Sequence, residues 1–535
     1  MGPWTASLIA LLSAAPASEP RIALVVQLTI DQLGSYTLGR YQAALPDDGL
    51  KRLIARGAYY PRGIYGYANT ETGPGHATLA TGAWPAVHGI AGNVWYEAGS
   101  GAEINCVSDP LHGKSPQHLL VPNLADTLRV ASNGESRVVS VAIKDRAAIL
   151  MAGRAPTLAV WYEEKEGRFV TGRWPGHGPA PAWFQGAALS LGPKVAFGRP
   201  WARLVEDPAF YSKYAGPDDT ESEERVPGLG HTFPRTLGQG LNPTDLEWWD
   251  RYRGSPAAIE DTFTLAELAL EKEQLGRHGT TDYLAIGVSS TDYAGHSWGT
   301  HSQEVLDLLL RVDRQVARLI QRLDRQLAGR VLYVVSADHG VMPTPEETAK
   351  LGVRTLRIPP RPLVEAMDRA LADPKLPALE RARVLELDPP RVFLSPTDPK
   401  VDRTALARRA AAALSGLPGV LEAKASADLH QFPEPYAVYF RRSYFPGRGG
   451  DVLLLHRPYE LLDGVGANGI GVGTGHGSPY GYDMTVPVIL VGPGVRPGRD
   501  PRPVDITRVA PTIAALLGID APAAAYDPPL PALDP

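Results

Sequence analysis

Five nearly continuous apolar runs, the first rich in β-branched residues, constrain this chain more than any other feature. Residues 22–30, 138–143, 283–290, 331–336 and 486–491 lack the alternation of polar and apolar positions that marks a strand with one wet face. Such runs suit strands buried on both faces, as in a parallel sheet covered by helices. Residues 303–327 carry Val305, Leu309, Val312, Val316, Leu319, Leu323 and Leu327 at helical spacing, an amphipathic helix that would cover one face of such a sheet. The expected fold is α/β, a mainly parallel sheet sandwiched by helices.

At 535 residues the chain exceeds the roughly 100–200 of one ordinary domain, so insertions are expected. The strand pattern lapses twice. Residues of about 155–260 are rich in Gly, Pro and Trp, with a hairpin expected from 157–162 and 168–174 around Glu166 and Gly167, and read as a cap that shapes access to a site. Residues 359–440 combine helical stretches (361–371 and 403–414) with the strand-like 391–394 and read as a small α+β satellite subdomain. The apolar residues 452–455 read as the return of the main sheet.

With 44% hydrophobic and 21% charged residues the chain is that of a folded protein, not a disordered or collagen-like one. Its 53 basic and 58 acidic residues nearly balance at a net charge of −5, which argues against a nucleic-acid binder steered by a positive field. Cys106 is the sole cysteine, so an intrachain disulfide and a thiolate metal site are excluded, and any metal must be held by oxygen and nitrogen. Residues 1–17 read as a signal peptide: residues 6–12 are small and apolar, and Ala15-Pro16-Ala17 suits cleavage before Ser18, although no Lys or Arg precedes the apolar run. A periplasmic or secreted location follows, with residues 18–535 as the mature protein. No later stretch approaches the roughly 18 apolar residues of a membrane span.

The chemistry-bearing residues gather where strands give way to loops, the edge at which open α/β sheets bind ligands. Asp31 ends the first run and is either a ligand or a helix N-cap. Lys144 and Arg146 follow the second; in an extended continuation they point to one side, which suits a phosphate clamp, while an exposed basic pair is the ordinary alternative. Asp292 and His296 follow the third and could chelate one metal if the turn between them is tight. Asp338 and His339 follow the fourth, and His476 lies among glycines at 471–477. Thr72 sits on the Gly/Pro-rich turn Thr72-Gly73-Pro74-Gly75-His76, ahead of a helical run from Ala77 to Gly82 whose N-terminus would attract an anion. Asn93 ends a loop and can donate to a phosphoryl oxygen; a turn role is the alternative. His88 reads as a structural residue.

Together the carboxylates and imidazoles form two cysteine-free sets suited to zinc: Asp31, Asp338 and His339 with the Thr72 oxygen, and Asp292, His296 and His476. The segments T-G-P-G-H-A-T, G-I-A-G-N, K-D-R, T-D-Y-A-G-H, S-A-D-H-G and G-T-G-H-G, in this order and with Asp31, closely resemble the alkaline phosphatase superfamily, in particular its phosphate-irrepressible, single-chain bacterial branch, over residues 22–517. The resemblance implies an alkaline-phosphatase-like fold and a phosphomonoesterase with two Zn2+ ions. Thr72 would be the nucleophile of a covalent phosphothreonine intermediate, and Asn93, Lys144 and Arg146 would bind phosphate. Related nucleotide pyrophosphatases and phosphodiesterases share the Thr and Asn but generally lack the Lys/Arg pair, and the C/S-x-P-x-R motif of sulfatases is absent. Two cations near the phosphoryl group favour a monoester, which carries one more negative charge than a diester. Glu71, beside Thr72, is expected to point away. The expected partners are small-molecule phosphate esters, with no nucleic acid and no membrane span, and the chain is expected to act as a monomer. A phosphodiesterase, or a non-enzymatic envelope protein that binds metal or a phosphorylated ligand, is the alternative.

Overall fold

Burial of the continuous apolar runs dictates the architecture of the computed structural model, which describes residues 22–372, 381–462 and 471–531. The expected signal peptide lies outside the described residues. In chain order the strands that matter here are β1 (Leu24–Ile30), β2 (Ala58–Ile64), β3 (Val138–Ala142), β4 (Leu158–Glu163), β5 (Arg168–Thr171), β6 (Asp282–Val288), β7 (Val331–Ser336), β8 (Val384–Asp388), β9 (Arg391–Leu394), β10 (Val420–Ala425), β11 (Val452–His456), β12 (Thr485–Val491), β13 (Gly498–Arg499) and β14 (Val504–Asp505). Ten of them form one sheet in the order β13-β2-β12-β7-β1-β6-β3-β4-β5, with β14 pairing β2. β7, β1, β6, β3 and β4 run parallel in adjacent register, while β12 and β5 run against their neighbours. All residues of β1, β3, β6 and β7 are buried, as their largely apolar, non-alternating pattern predicts.

The helix at Gln303–Leu327 has the expected bounds and buries every apolar residue of its predicted stripe, with the Ser302 hydroxyl accepting from the Val305 N–H at its start. Among the described residues no helix is long and apolar enough to cross a membrane.

The structure redraws two boundaries and adds a strand. The hairpin expected inside the 155–260 insertion exists, but β4 pairs in parallel with β3, so the hairpin is the edge of the main sheet. The run 452–455, expected to rejoin the main sheet, instead forms β11 of a separate four-stranded sheet ordered β8-β9-β11-β10. A fully buried apolar strand reads the same in either sheet, and only pairing decides. β2 is hidden in the sequence by Pro61 and Gly63, which coincide with a register shift between Tyr60 and Gly63.

Candidate active site

The carboxyl ends of β7, β1, β6 and β3 lie side by side, and they deliver the site. Asp31 directly follows β1, and the next helix starts only at Ser35 with Gly34 as its N-cap, so Asp31 does not cap it. Asp338 and His339 lie just beyond β7, and Lys144 just beyond β3. Asp292 and His296 sit not on a tight turn but on a helix, Ser290–Trp298, where their i,i+4 spacing puts them on one face. Lys144 is extended, but the extended continuation stops there: it is the N-cap of a helix, Asp145–Ala152, which takes Arg146 into its first turn.

Thr72 opens the helix Thr72–Thr81, which thus begins at the hydroxyl itself rather than at Ala77. Pro74 is accommodated because a first-turn residue needs no N–H partner. Gly75 is there for space, since a Cβ would lie 2.2 Å from the Asp338 carbonyl oxygen. The Gly-Pro-Gly segment is a helical turn pressed against the end of β7, with the threonine at the helix's electropositive tip. Beneath it lies the buried Cys106, whose Sγ would be 3.1 Å from a Cβ on Gly73.

Both expected ligand sets assemble. Asp31, Asp338 and His339 offer ligand atoms within 4.8 Å of one another, and so do Asp292, His296 and His476. The sets adjoin, because the His339 and His476 rings stack with centroids 3.7 Å apart. Each of the three imidazoles has its Nδ1 held by a backbone carbonyl: His339 by Gly340 at 3.0 Å, His296 by Thr474 at 2.9 Å and His476 by Thr70 at 2.7 Å. With the Nδ1 proton donated there, each Nε2 lone pair faces the carboxylates, the arrangement in which imidazole binds a metal.

Electrostatics points the same way. Three buried carboxylates, Asp31, Asp292 and Asp338, share one buried ammonium, Lys144. Lys144 Nζ donates to Asp292 Oδ2 at 2.6 Å and to Thr72 Oγ1 at 2.9 Å, and meets Asp31 Oδ2 at 2.8 Å as an ion pair without hydrogen-bond alignment. Burial, with the Asp338 charge beside it, pushes the Asp31 carboxyl well above its ordinary value. Burial would raise Asp292 too, but Lys144 and His296 outweigh it and hold that carboxyl well below the usual range. Burial outweighs the opposing Asp338 charge and pulls His339 down to about 3, which keeps the imidazole neutral. Both Asp31 oxygens, Asp338 Oδ2 and His339 Nε2 are buried with no hydrogen-bond partner. Excess buried negative charge and orphaned lone pairs converging on one spot are what bound cations relieve, so the residues present fit a pair of metal ions.

Around this centre, Asn93 Oδ1 accepts from the Gly73 N–H at 2.7 Å, which fixes the amide at the foot of the threonine helix. Arg146 lies 3.7 Å from Asp145, and its buried Nε has no partner. Glu71 points away from the site, as expected: its carboxylate accepts from the Asn93 N–H at 2.6 Å and pairs with Arg391 of β9 at 3.2 Å. Thr70, the neighbouring hydroxyl, is occupied by the Ser478 carbonyl. His88 is structural, joining Thr78 Oγ1 and the Ile90 N–H.

Sequence reasoning missed several neighbours. His76, one helical turn on, meets the Thr72 carbonyl at 3.0 Å and Asp338 at 3.3 Å. Tyr293 lays its ring 5.3 Å from Lys144 Nζ and receives Arg253 from the 155–260 insertion. Arg391 reaches the site from afar, while Gln32 is the direct neighbour of Asp31. The i,i+4 relation of His76 to Thr72 was a signal available in the chain; for Arg391 there was none.

The fold and site define a class of α/β protein: a helix-flanked, mainly parallel sheet with a threonine hydroxyl on the ammonium that pairs with one carboxylate of each carboxylate–imidazole cluster. Residues 25–448 match the type I phosphodiesterase / nucleotide pyrophosphatase family, and the chain belongs to it. Among curated relatives it is 30% identical over 96% of its length to a protein of Myroides odoratus named calcium-transporting ATPase (94% of that protein), and equally 30% identical over 96% to alkaline phosphatase PafA of Elizabethkingia meningoseptica (94% of that protein). The crystal structure of wild-type PafA superposes with a TM-score of 0.85 at 28% identity, covering 96% of this chain and 98% of that one.

Proposed function

We propose that the protein is an alkaline phosphatase, a phosphoric monoester hydrolase that works through a phosphothreonine at Thr72. The observation that carries this reading is the Thr72 hydroxyl, at a helix tip, within 2.9 Å of a buried ammonium and flanked by two clusters of metal-ligand type. Similarity over 93–96% of the chain to enzymes named alkaline phosphatase supports it. So does a solved variant of PafA in which a threonine is changed to serine and an asparagine, a lysine and an arginine to alanine. Its altered threonine and asparagine are 21 positions apart and its lysine and arginine 2 apart, the separations of Thr72 from Asn93 and of Lys144 from Arg146 here.

In the first step Thr72 Oγ attacks phosphorus in line, the bond from phosphorus to the ester oxygen breaks, and the alcohol leaves with a proton. In the second, water attacks the phosphothreonine at phosphorus, the bond to Thr72 Oγ breaks as that oxygen regains a proton from the water, and inorganic phosphate departs. Two Zn2+ ions, one held by Asp31, Asp338, His339 and Thr72 and the other by Asp292, His296 and His476, would supply charge stabilisation for the entering and leaving oxygens. Lys144 hydrogen-bonds the nucleophile and bridges two ligand carboxylates, Asp31 and Asp292. Asn93 and Arg146 hold non-bridging oxygens, where transition-state charge spreads. The cationic pair matches the dianionic charge of a monoester.

The 155–260 insertion acts as a cap: it touches the ligand-bearing elements through Glu224 to the Ser297 carbonyl and the Ser222 carbonyl to Gly473. Export by a signal peptide at residues 1–17, with work in the periplasm or outside the cell as a monomer on small phosphate esters, completes the reading.

Comparing kcat/KM for p-nitrophenyl phosphate and bis-p-nitrophenyl phosphate tests the assignment. The monoester is expected to lead; a faster diester would favour the phosphodiesterase activity that the family's name carries. Thr72→Ala should abolish the phosphoenzyme and most turnover, and zinc bound without turnover of any ester would point to a non-enzymatic binding protein.

A further inference from the structure

Two locally unfavourable residues converge on one amide. Gln32, directly after Asp31, is 4% exposed and has φ +67°, a left-handed conformation that side chains with a Cβ rarely adopt. Among the described residues the other non-glycine positions of this kind are Asn133, Gln274, Ala328 and Tyr459; the first three close helices, where the conformation is common. Gln32 closes a strand at the centre of the site. The second residue is Gly295, inside the helix Ser290–Trp298, where glycine is a poor choice. A Cβ at Gly295 would lie 1.7 Å from Gln32 Oε1 and 2.8 Å from its Cδ, so the glycine makes room for this side chain.

The twisted backbone lets Gln32 serve both ligand clusters. Its N–H donates to Asp338 Oδ1 at 3.2 Å, and its side-chain Nε2 donates to Asp292 Oδ1 at 2.8 Å. Asp292 Oδ1 is also the atom that His296 and His476 face, at 3.3 and 3.4 Å. A carboxylate oxygen has two lone pairs; an amide donor on one leaves the other aimed at the imidazoles, where a cation would sit. In an extended or helical conformation the residue after Asp31 would lose this twofold reach.

We propose that Gln32 is a positioning residue that orients Asp292 toward its metal ion and locks the two clusters in register, with Gly295 as the space it requires. This rests on reading the two clusters as metal sites. The proposed test titrates Zn2+ against a competing chelator in wild-type protein and in Gln32→Gly, Gly295→Ala and His296→Ala variants, alongside thermal unfolding of the metal-free proteins. Glycine tolerates the left-handed backbone, so Gln32→Gly keeps the contact to Asp338 and loses only the one to Asp292. One of two zinc equivalents should weaken about 10- to 100-fold in Gln32→Gly. Gly295→Ala should weaken the same equivalent, the one that His296→Ala also loses, with the metal-free Tm of Gln32→Gly close to wild type. Two tight sites in both Gln32→Gly and Gly295→Ala would overturn the positioning role. Equal weakening of both equivalents with a large fall in Tm would overturn it too, as a general packing effect. A wild-type protein that fails to bind two zinc ions would instead sink the underlying reading of the clusters, and this inference with it.

Discussion

The two ligand clusters look alike in composition and differ in how they are built. Asp31, Asp338 and His339 hang from the ends of adjacent central strands, with side chains no more than 2% exposed. The second cluster draws Asp292 and His296 from a helix and His476 from a loop, and the His296 side chain is 40% exposed. The inner cluster inherits its rigidity from the sheet, and His76 ties its Asp338 to the helix that Thr72 opens. The outer one is open on one side, as a site must be if a leaving group departs and water enters there. One constellation thus combines a fixed half and an accessible half.

The sharpest way to break that contrast is to remove one imidazole from each side. His339→Ala should lower kcat/KM by ~10³-fold, the scale of losing preorganised charge stabilisation, and added zinc should not restore it. His296→Ala should be rescued in part by excess zinc, since solvent can take the vacant ligand position. Equal rescue of both variants in a zinc titration would erase the distinction.

A smaller effect sharpens it from the side of the cations. Burial would lower the Lys144 ammonium, but Asp292 and Asp31 outweigh it and hold it well above its usual range, so it stays charged. Lys144→Ala leaves buried carboxylates short of a partner and should cost about 100-fold in monoester kcat/KM, with Arg146→Ala about 10-fold. Both should shrink the ratio of monoester to diester turnover, and a ratio unmoved in both would detach these cations from substrate charge.

The least effect on chemistry is expected from the satellite sheet. Arg391→Met leaves the buried Glu71 and the partly exposed Asp388 without their guanidinium, a loss of about 3 kcal/mol, mostly from Glu71, that should appear as a lower Tm. Turnover at low temperature should fall only modestly, because Arg391 acts through Glu71 and the Asn93 backbone. A loss of turnover matching that of His339→Ala would place the satellite within the rigid half.

Much of the fold and the site is legible in the chain because parallel strands advertise themselves. A residue just past an unbroken apolar run must emerge at the binding edge, which is why Asp31, Lys144, Asp338 and His339 stand out from the sequence alone. The helical setting of Asp292 and His296 is obscured by Gly295, whose reason for being there is a side chain 263 positions away. Arg391 meets Glu71 across 320 positions and Gln32 meets Asp292 across 260, and no local pattern encodes such pairings. The strand at Val452–His456 has the expected character but belongs to a different sheet, since apolar content specifies burial and not the neighbour.

The lone thiol has a practical corollary. Cys106 is sealed beneath the threonine helix, and burial pushes its ionisation up to about 12. It therefore offers almost no thiolate to alkylating or oxidising reagents near neutral pH. A cysteine introduced on the outer surface of the 155–260 insertion would be the only reactive sulfur in the native protein, and a fluorophore attached there could follow that segment during turnover without first rebuilding the interior.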